Sequence, residues 1–324
     1  MTSNRPLLTL ALFCCNHQRY VGEAIAGALS QTYSPLEIFI CDDSSDDESY
    51  RTICQAVAGY SGPHVVRALR TPSRLGFAKS LNLVLPQTSG ELISIAACDD
   101  VSLPERVEST YNAWCSAGRR HYSLHTRMFT IDEDSRRKSL TTEDYSIEPG
   151  PASVPQLLDL VQNFRCVAGA SQTIHRDVFS RFGPLDSDVL HEDIIFPFRA
   201  ALLGGVAFLP TPVGMYRQHV GGISQRRRTR LDMAIFWSKS RAPVCRQMIR
   251  DLDALGVSLP SVRDAIHRME RRVHYMHAFH TQPLRKKPML ARSALAQGVA
   301  PHYIAKQLIK STVLNLVASR PSES

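Results

Sequence analysis

No apolar run in this chain approaches the ~20 residues that a bilayer-spanning helix needs, and none of its eight cysteines stands at CxxC spacing from another. The first absence leaves no transmembrane helix to expect. The second leaves neither a zinc-binding pattern nor a disulfide framework. Cys14, Cys15, Cys41 and Cys98 fall instead at the ends of predicted buried strands, where they read as small core residues of a reducing compartment. The first residues, Met-Thr-Ser-Asn-Arg-Pro, lead straight into a short strand without the form of a signal peptide, so a cytoplasmic location is expected. A GxGxxG turn after that strand is also missing, which argues against a dinucleotide oxidoreductase.

What is present is a globular balance of 44% apolar and 21% charged residues over 324 positions. The formal net charge of +8 is unevenly spread. Residues 226–324 hold 19 Lys and Arg against 6 Asp and Glu, leaving 19 against 24 in residues 1–225. Any anionic partner is therefore sought in the C-terminal third, unless those arginines simply coat a solvated helical surface. No recognition motif or aromatic-interleaved basic strand accompanies them, so nucleic acid is not expected.

The first half alternates strand and helix signals, which predicts a mostly parallel sheet covered by helices. Strands are expected at 7–13, 37–41, 65–69, 92–97 and 206–209. Helices are expected at 21–30, at 46–58 with Asp46 as its cap, from Gly76 through Leu85, and from Pro104 onward. The charged, Ser/Thr/Pro-containing stretch 133–155 reads as a loop or lid. From Arg226 the pattern turns helical and basic.

Two predicted strands end in paired carboxylates, Asp42-Asp43 and Asp99-Asp100. Open α/β sheets bind ligands at that edge. Paired carboxylates there suit a polar ligand accompanied by a hard divalent cation, Mg²⁺ or Mn²⁺, which takes oxygen ligands from protein and phosphates alike. Acids that merely shape a turn are the plainer alternative. A third acidic group, Glu192-Asp193 after His191, opens a predicted helix, where acids are common for electrostatic reasons alone.

Residues 7–225 resemble a family 2 glycosyltransferase of the GT-A fold. Ordered blocks carry the resemblance: Cys15-Asn16-His17-Gln18-Arg19-Tyr20; Ser30-Gln31-Thr32-Tyr33; Cys41-Asp42-Asp43-Ser44-Ser45-Asp46; Gly76-Phe77-Ala78-Lys79-Ser80-Leu81-Asn82; Cys98-Asp99-Asp100 with Pro104-Glu105-Arg106; His191-Glu192-Asp193; and Tyr216-Arg217-Gln218-His219. The chain departs from the commoner pattern at Ala97, where a further Asp often stands.

The resemblance implies a Rossmann-like, mostly parallel sheet with an α-helical C-terminal extension, divided as a catalytic domain at 1–225 and a basic helical extension at 226–324. It implies inverting transfer of a sugar from a UDP- or dTDP-sugar donor to a hydroxyl of a glycan acceptor, in bacterial cell-surface polysaccharide synthesis. Asp43 would accept from the imide N–H of the base, and Asp99 would face the ribose. Phe13 and Cys15 would lie under the nucleotide, with Arg74 and Lys79 at the base or diphosphate. Asp100 and His219 would hold Mg²⁺ or Mn²⁺. Asp193 would be the general base, supported toward the acceptor by Glu192. Ala168, Gly169 and Ala170 would leave space beside the sugar or acceptor, unless they are small only because their turn is close-packed. Gly221-Gly222 and Arg226-Arg227-Arg228 would close over the donor, unless they are simply the exit from the domain. A basic amphipathic helix from Tyr303 to Val317, flanked by Lys306, Lys310 and Arg320, would touch an anionic membrane surface or a lipid-linked acceptor, unless it packs on the domain. The rival reading is a non-catalytic module of the same fold that binds glycan or membrane. A nucleotidyltransferase would need a Gly-rich basic loop where Cys14-Cys15-Asn16-His17 stands.

Overall fold

The structure, a computed structural model, describes residues 5–142, 144–222 and 229–318, with the side chains of 314–318 outside the description. The strands are β1 (Leu8–Cys14), β2 (Leu36–Asp42), β3 (Val65–Arg70), β4 (Leu92–Ala97), β5 (Val101–Ser102), β6 (Ser123–Thr126), β7 (Phe129–Ile131), β8 (Arg137–Leu140), β9 (Thr173–His175), β10 (Val206–Leu209) and β11 (Gly214–Arg217). The helices are α1 (Val21–Leu29), α2 (Ser49–Ala58), α3 (Phe77–Val84), α4 (Arg106–Ser116), α5 (Val154–Asn163), α6 (Asp177–Ser180), α7 (Glu192–Leu203), α8 (Arg230–Ala254), α9 (Pro260–Thr281), α10 (Lys287–Ala296) and α11 (Pro301–Ala318).

Seven strands form the main sheet in the order β10-β6-β9-β4-β1-β2-β3. Only β9 runs against its neighbours. The central strands read as unbroken apolar runs because both of their faces are covered, as expected for parallel sheets. Along β1, Leu8, Leu10 and Leu12 pack with α1 and α4 on one face, while Ala11 and Phe13 pack with α3, α5 and α7 on the other. The one polar interruption, Thr9, is satisfied by donating to Glu37 Oε1 at 2.6 Å.

From β1 the chain winds outward through β2 and β3, then returns to place β4 on the other side of β1. This reversal opens a crevice at the carboxyl ends of β1 and β4, where such folds bind ligands. A second sheet, β5-β11-β7-β8, stands beside the crevice. Its β8 lies inside the stretch expected to be a loop: four exposed, mostly polar residues carry no strand signal, and pairing with β7 creates the strand. Asp46 does not cap α2; it pairs with Arg74, and Asp47 Oδ1 accepts the Ser49 N–H at 3.0 Å.

The C-terminal helices complete the main core. Val244, Cys245, Met248 and Leu252 of α8 join Val262, Ala265 and Ile266 of α9 in the cluster that also holds Ile195 and Phe198 of α7. Burying apolar surface at roughly 25 cal/mol per Å² is the main source of this cohesion. A buried ion pair crosses the same seam, with Arg199 of α7 gripping Asp251 of α8 through two bonds of 2.9 Å. A smaller cluster of Phe279, Ala294, Val299 and Ile304 seats α10 and α11. Among the described residues no helix is long and apolar enough to cross a membrane. Arg226-Arg227-Arg228, the boundary near 225 and Arg320 lie outside or at the edge of the described residues.

Candidate active site

Asp42 and Asp43 leave the end of β2 in different directions. Asp42 is fully buried, accepting from the Ser45 backbone at 3.0 Å, and shapes the turn. Asp43 reaches across to the next loop: Oδ1 takes the Leu75 N–H (2.7 Å) and the Thr71 hydroxyl (3.0 Å), and Oδ2 takes the Gly76 N–H (2.8 Å). Gly76 has φ +85, a left-handed conformation that favours glycine, and it sets the start of α3. A carboxylate offers about four lone-pair sites, so one site on Oδ2 remains for a ligand.

Phe13 is buried in the core, its ring edge-on to Phe77 at 5.1 Å; only its backbone reaches the edge, accepting the Cys98 N–H at 2.9 Å. Any contact of Phe13 with a ligand at that edge would therefore be made by its backbone, since the ring is committed to the core. Cys15 is half-buried with Sγ 3.8 Å from the Asp43 carbonyl, and burial raises its thiol above the usual range. Arg74 is exposed and pairs with Asp46 at 2.8 Å, and Lys79 is exposed on α3.

After β4 the backbone turns, with the Asp100 N–H donating to the Ala97 carbonyl at 3.2 Å. That turn separates the two carboxylates. Asp99 meets His219 Nε2 at 3.0 Å and His17 Nε2 at 3.8 Å. Ligand atoms of these three residues lie within 4.8 Å of one another. Asp100 turns inward instead, 4% exposed, and accepts the backbone N–H of Arg217 at 2.8 Å. The expected pairing of Asp100 with His219 is therefore replaced by Asp99 with His219 and His17. Burial raises Asp99, but the His219 hydrogen bond and the charge of His17 outweigh it and hold the carboxyl below its usual range. Burial and the neighbouring Asp99 push Asp100 well above it. Burial lowers His17.

Arg217 braces this corner. Its guanidinium donates to the Asp99 carbonyl (2.8 Å), the Asp132 carbonyl (3.1 Å), Ser135 Oγ (2.9 Å) and Glu23 Oε2 (2.6 Å), and lies 4.5 Å over the Tyr20 ring. Tyr20 packs edge-on to His219 at 4.9 Å. Below Asp100 the fully buried Arg106 donates to the Ile95 carbonyl at 2.7 Å, and burial lowers its guanidinium to about 10. The ligand position of His17 and the bracing by Arg217 and Arg106 were missed by sequence reasoning. Each residue stood inside a recognised block, but its partners are distant in sequence.

The fit to a cation can be tested on these atoms. One carboxylate oxygen and two imidazole nitrogens make half a coordination shell, and phosphate oxygens of a ligand would supply the rest. Imidazoles suit Mn²⁺ better than Mg²⁺, which takes a hard shell of oxygens.

The acidic group at the start of α7 forms a second wall. His191 stacks on Trp237 of α8 (5.1 Å, 17°) and its Nε2 bonds Ser240 Oγ at 2.8 Å, while Nδ1 stands 3.9 Å from Asp193 Oδ1. Burial and the charge of Arg241 push His191 down to about 4, so its ring is neutral at ordinary pH. Burial and Asp193 push Glu192 well above the usual carboxylate range. A Cβ on Gly169 would come 3.2 Å from Glu192 Oε1 and 3.4 Å from the Asp193 Cβ, so glycine there leaves both carboxyl groups room. The segment holding Gly169 ties this wall to the crevice: Val167 N–H donates to the Asp193 carbonyl at 3.1 Å, and Ile95 N–H to the Gln172 carbonyl at 2.9 Å. The Gly221-Gly222 turn closes back on His219, with the Gly222 N–H donating to the His219 carbonyl at 3.0 Å.

The family model for Glycosyl transferase family 2 matches residues 9–183. Among curated proteins, the putative glycosyltransferase EpsE of Bacillus subtilis is 33% identical over 128 residues, 40% of this chain and 45% of that protein. Glycosyltransferase GlyG of Streptococcus pneumoniae is 30% identical over 105 residues, covering 32% and 34%. The chain thus spans less than half the length of these relatives. In three dimensions it resembles S. aureus TarS residues 1–349, solved with UDP-GlcNAc, at a TM-score of 0.60 and 13% identity over 94% of this chain and 88% of that one. The mannosyltransferase PcManGT of Pyrobaculum calidifontis, solved with GDP-Man and Mn²⁺, gives a TM-score of 0.56 at 16% identity over 98% and 89%. At these identities the likeness is one of fold.

Proposed function

The chain belongs to glycosyl transferase family 2 and is a glycosyltransferase, and from that premise we propose an inverting enzyme that moves a sugar from a UDP- or dTDP-sugar to a hydroxyl of a growing glycan in cell-surface polysaccharide synthesis. The observation that carries the donor side is the convergence of Asp99, His219 and His17 at the crevice where the sheet reverses. These three would hold a divalent cation, Mn²⁺ fitting better than Mg²⁺, and a bound cation would neutralise the diphosphate as it leaves. The catalytic unit is proposed to span 1–225, with 226–324 as a basic helical extension that supplies the far side of its core.

Asp43 would take the imide N–H of uracil or thymine on its remaining lone pair, while its other bonds keep the 71–76 loop in place. Cys15, Arg74 and Lys79 would be further nucleotide contacts, Arg74 after release from Asp46.

Inversion needs a base that takes the acceptor proton as its oxygen attacks the anomeric carbon in line. Burial and its neighbour raise Glu192 well above the usual carboxylate range, so Asp193 is the one of the pair proposed to receive that proton. Neighbouring carboxyl groups in different environments are a common basis for such division of labour. Neutral His191, locked between Trp237 and Ser240, would fix the approach to Asp193. The similar mannosyltransferase PcManGT was solved with GDP-Man, so GDP-sugars belong in the test.

The test is release of nucleoside diphosphate from UDP-, dTDP- and GDP-sugars with Mn²⁺ and a panel of glycan acceptors. One nucleotide class should turn over, and Asp193→Asn should lower acceptor-dependent turnover by about 10²–10⁴. Donor binding without turnover across the panel, unchanged by Asp193→Asn, would favour the non-catalytic binding module instead.

A further inference from the structure

A cavity of about 600 Å³ lies between α8, α9 and α11, apart from the crevice at the sheet edge. Its size falls in the range of small-molecule sites. Met233, Trp237 and Met276 give it apolar walls; Arg230, Arg241 and Lys310 give it cations, and among the described residues no carboxylate lines it.

Arg241 is the telling residue. Its guanidinium lies over the faces of Phe164 (4.9 Å) and Trp237 (5.2 Å), and its buried Nε has no hydrogen-bond partner among the described residues. Among the described residues the ionisable groups that favour its charged form are Cys166, Tyr303 and Cys245, none of them an Asp or Glu. A largely desolvated cation without a counter-charge is costly. An anion in the cavity would offset that cost.

Two further observations narrow the ligand. Val313 lines the cavity at 53% exposed, and Ile309, one turn before it on α11, is 67% exposed, so apolar surface continues along α11 beyond the cationic lining. On the inner side, Trp237 is the ring on which His191 stacks, next to Glu192 and Asp193. A ligand here would carry an anionic head at the cations, a hydrocarbon chain along the methionines, and whatever is attached to it toward α7.

We propose that this cavity binds a phosphate or diphosphate borne on a hydrocarbon chain, the lipid carrier of the acceptor. Arg241 and Lys310 hold the phosphate, and Met233, Met276 and Trp237 hold the chain. The word acceptor rests on the transferase reading; the site itself does not.

Of the chain's two tryptophans, Trp114 is buried at 1% exposure, so a ligand-dependent change in fluorescence is assigned to Trp237 and should vanish in Trp237→Phe. The purified full chain, with no nucleotide or metal, is titrated with farnesyl diphosphate, inorganic pyrophosphate, farnesol and phosphatidylglycerol vesicles. Farnesyl diphosphate should quench saturably, with pyrophosphate and farnesol each binding at least about tenfold more weakly. Arg241→Gln should weaken binding about tenfold, the usual size of one lost charge-assisted contact. Lys310→Ala, at an exposed position that does not threaten folding, should weaken it about threefold. Equal affinities for pyrophosphate or for farnesol would overturn the proposal, leaving a bare anion site or a bare apolar cleft. So would binding to vesicles alone that survives both substitutions, which would mark surface adsorption. Since no donor is present, failure here leaves the transferase reading standing, and the reverse.

Discussion

Asp100 and Arg217 hold each other by their backbones as much as by their side chains. The buried Asp100 carboxylate accepts the Arg217 N–H at 2.8 Å, and the Arg217 guanidinium returns to the carbonyl of the preceding Asp99, also at 2.8 Å. The main sheet and the small sheet are thereby fastened at the point where Asp99 emerges.

Arg217→Lys keeps the charge but loses the fork that reaches four acceptors at once. Because the side chain is fully buried, the orphaned carbonyls should cost roughly 2–4 kcal/mol. Nucleotide affinity should fall with stability, since Asp99 loses its brace. Urea unfolding and a UDP titration measure the two effects; a variant as stable as the parent that binds UDP normally would show the brace to be dispensable.

The seam between α7 and α8 makes a separate prediction. Arg199 and Asp251 are both fully buried, so Asp251→Ala strands a guanidinium and should cost about 3–5 kcal/mol. Replacing both partners with apolar residues, Arg199→Met with Asp251→Leu, should recover most of that loss. Chemical denaturation of the single and double variants decides the matter.

For the chemistry, Asp193→Asn should lower kcat by about 10²–10⁴, the range for loss of a positioned base. The stabilisation conferred by bound nucleotide should not change, because Asp193 is proposed to face the acceptor. A parallel loss of nucleotide binding would reassign the residue to the donor.

Stability should depend on pH through Glu192. Its folded pKa is raised by burial and by Asp193, whereas the unfolded value is about 4.3. Below that pH both states are protonated and the group contributes nothing. As pH rises past it, the unfolded chain releases a proton that the folded chain keeps, so stability falls. Glu192→Gln should therefore melt higher than the parent at pH 7.5, with the gap closing near pH 4. A gap that is constant or widens on acidification contradicts the assignment.

Much of this fold was legible because parallel strands covered on both faces leave unbroken apolar runs, and β4 was read at its observed bounds. The paired carboxylates were legible for the same reason: they stop those runs abruptly. Short strands such as β5 and β7 were not, since two or three residues carry no period, and β8 exists only through its partner. The site was legible by type more than by role. Adjacent Asp99 and Asp100 look equivalent in sequence, and only the turn after Ala97 sends one to His219 and the other to Arg217. The part played by His17 depended on packing with residues of β11 and the turn after it, which no local pattern announces. Arg241 was invisible for the opposite reason, as one cation in a basic segment until its missing counter-charge is seen.

The central claim, that a nucleotide donor is held with a cation at Asp99, is tested most directly by the melting temperature of the purified protein with UDP, dTDP, GDP or CMP, each with Mn²⁺ or with chelator. The account predicts that UDP or dTDP at ~100 times its Kd adds about 2.7 kcal/mol of stability, only with Mn²⁺, and that Asp99→Asn and His219→Ala each abolish the gain. Stabilisation that is indifferent to metal, or that survives both substitutions, would contradict it.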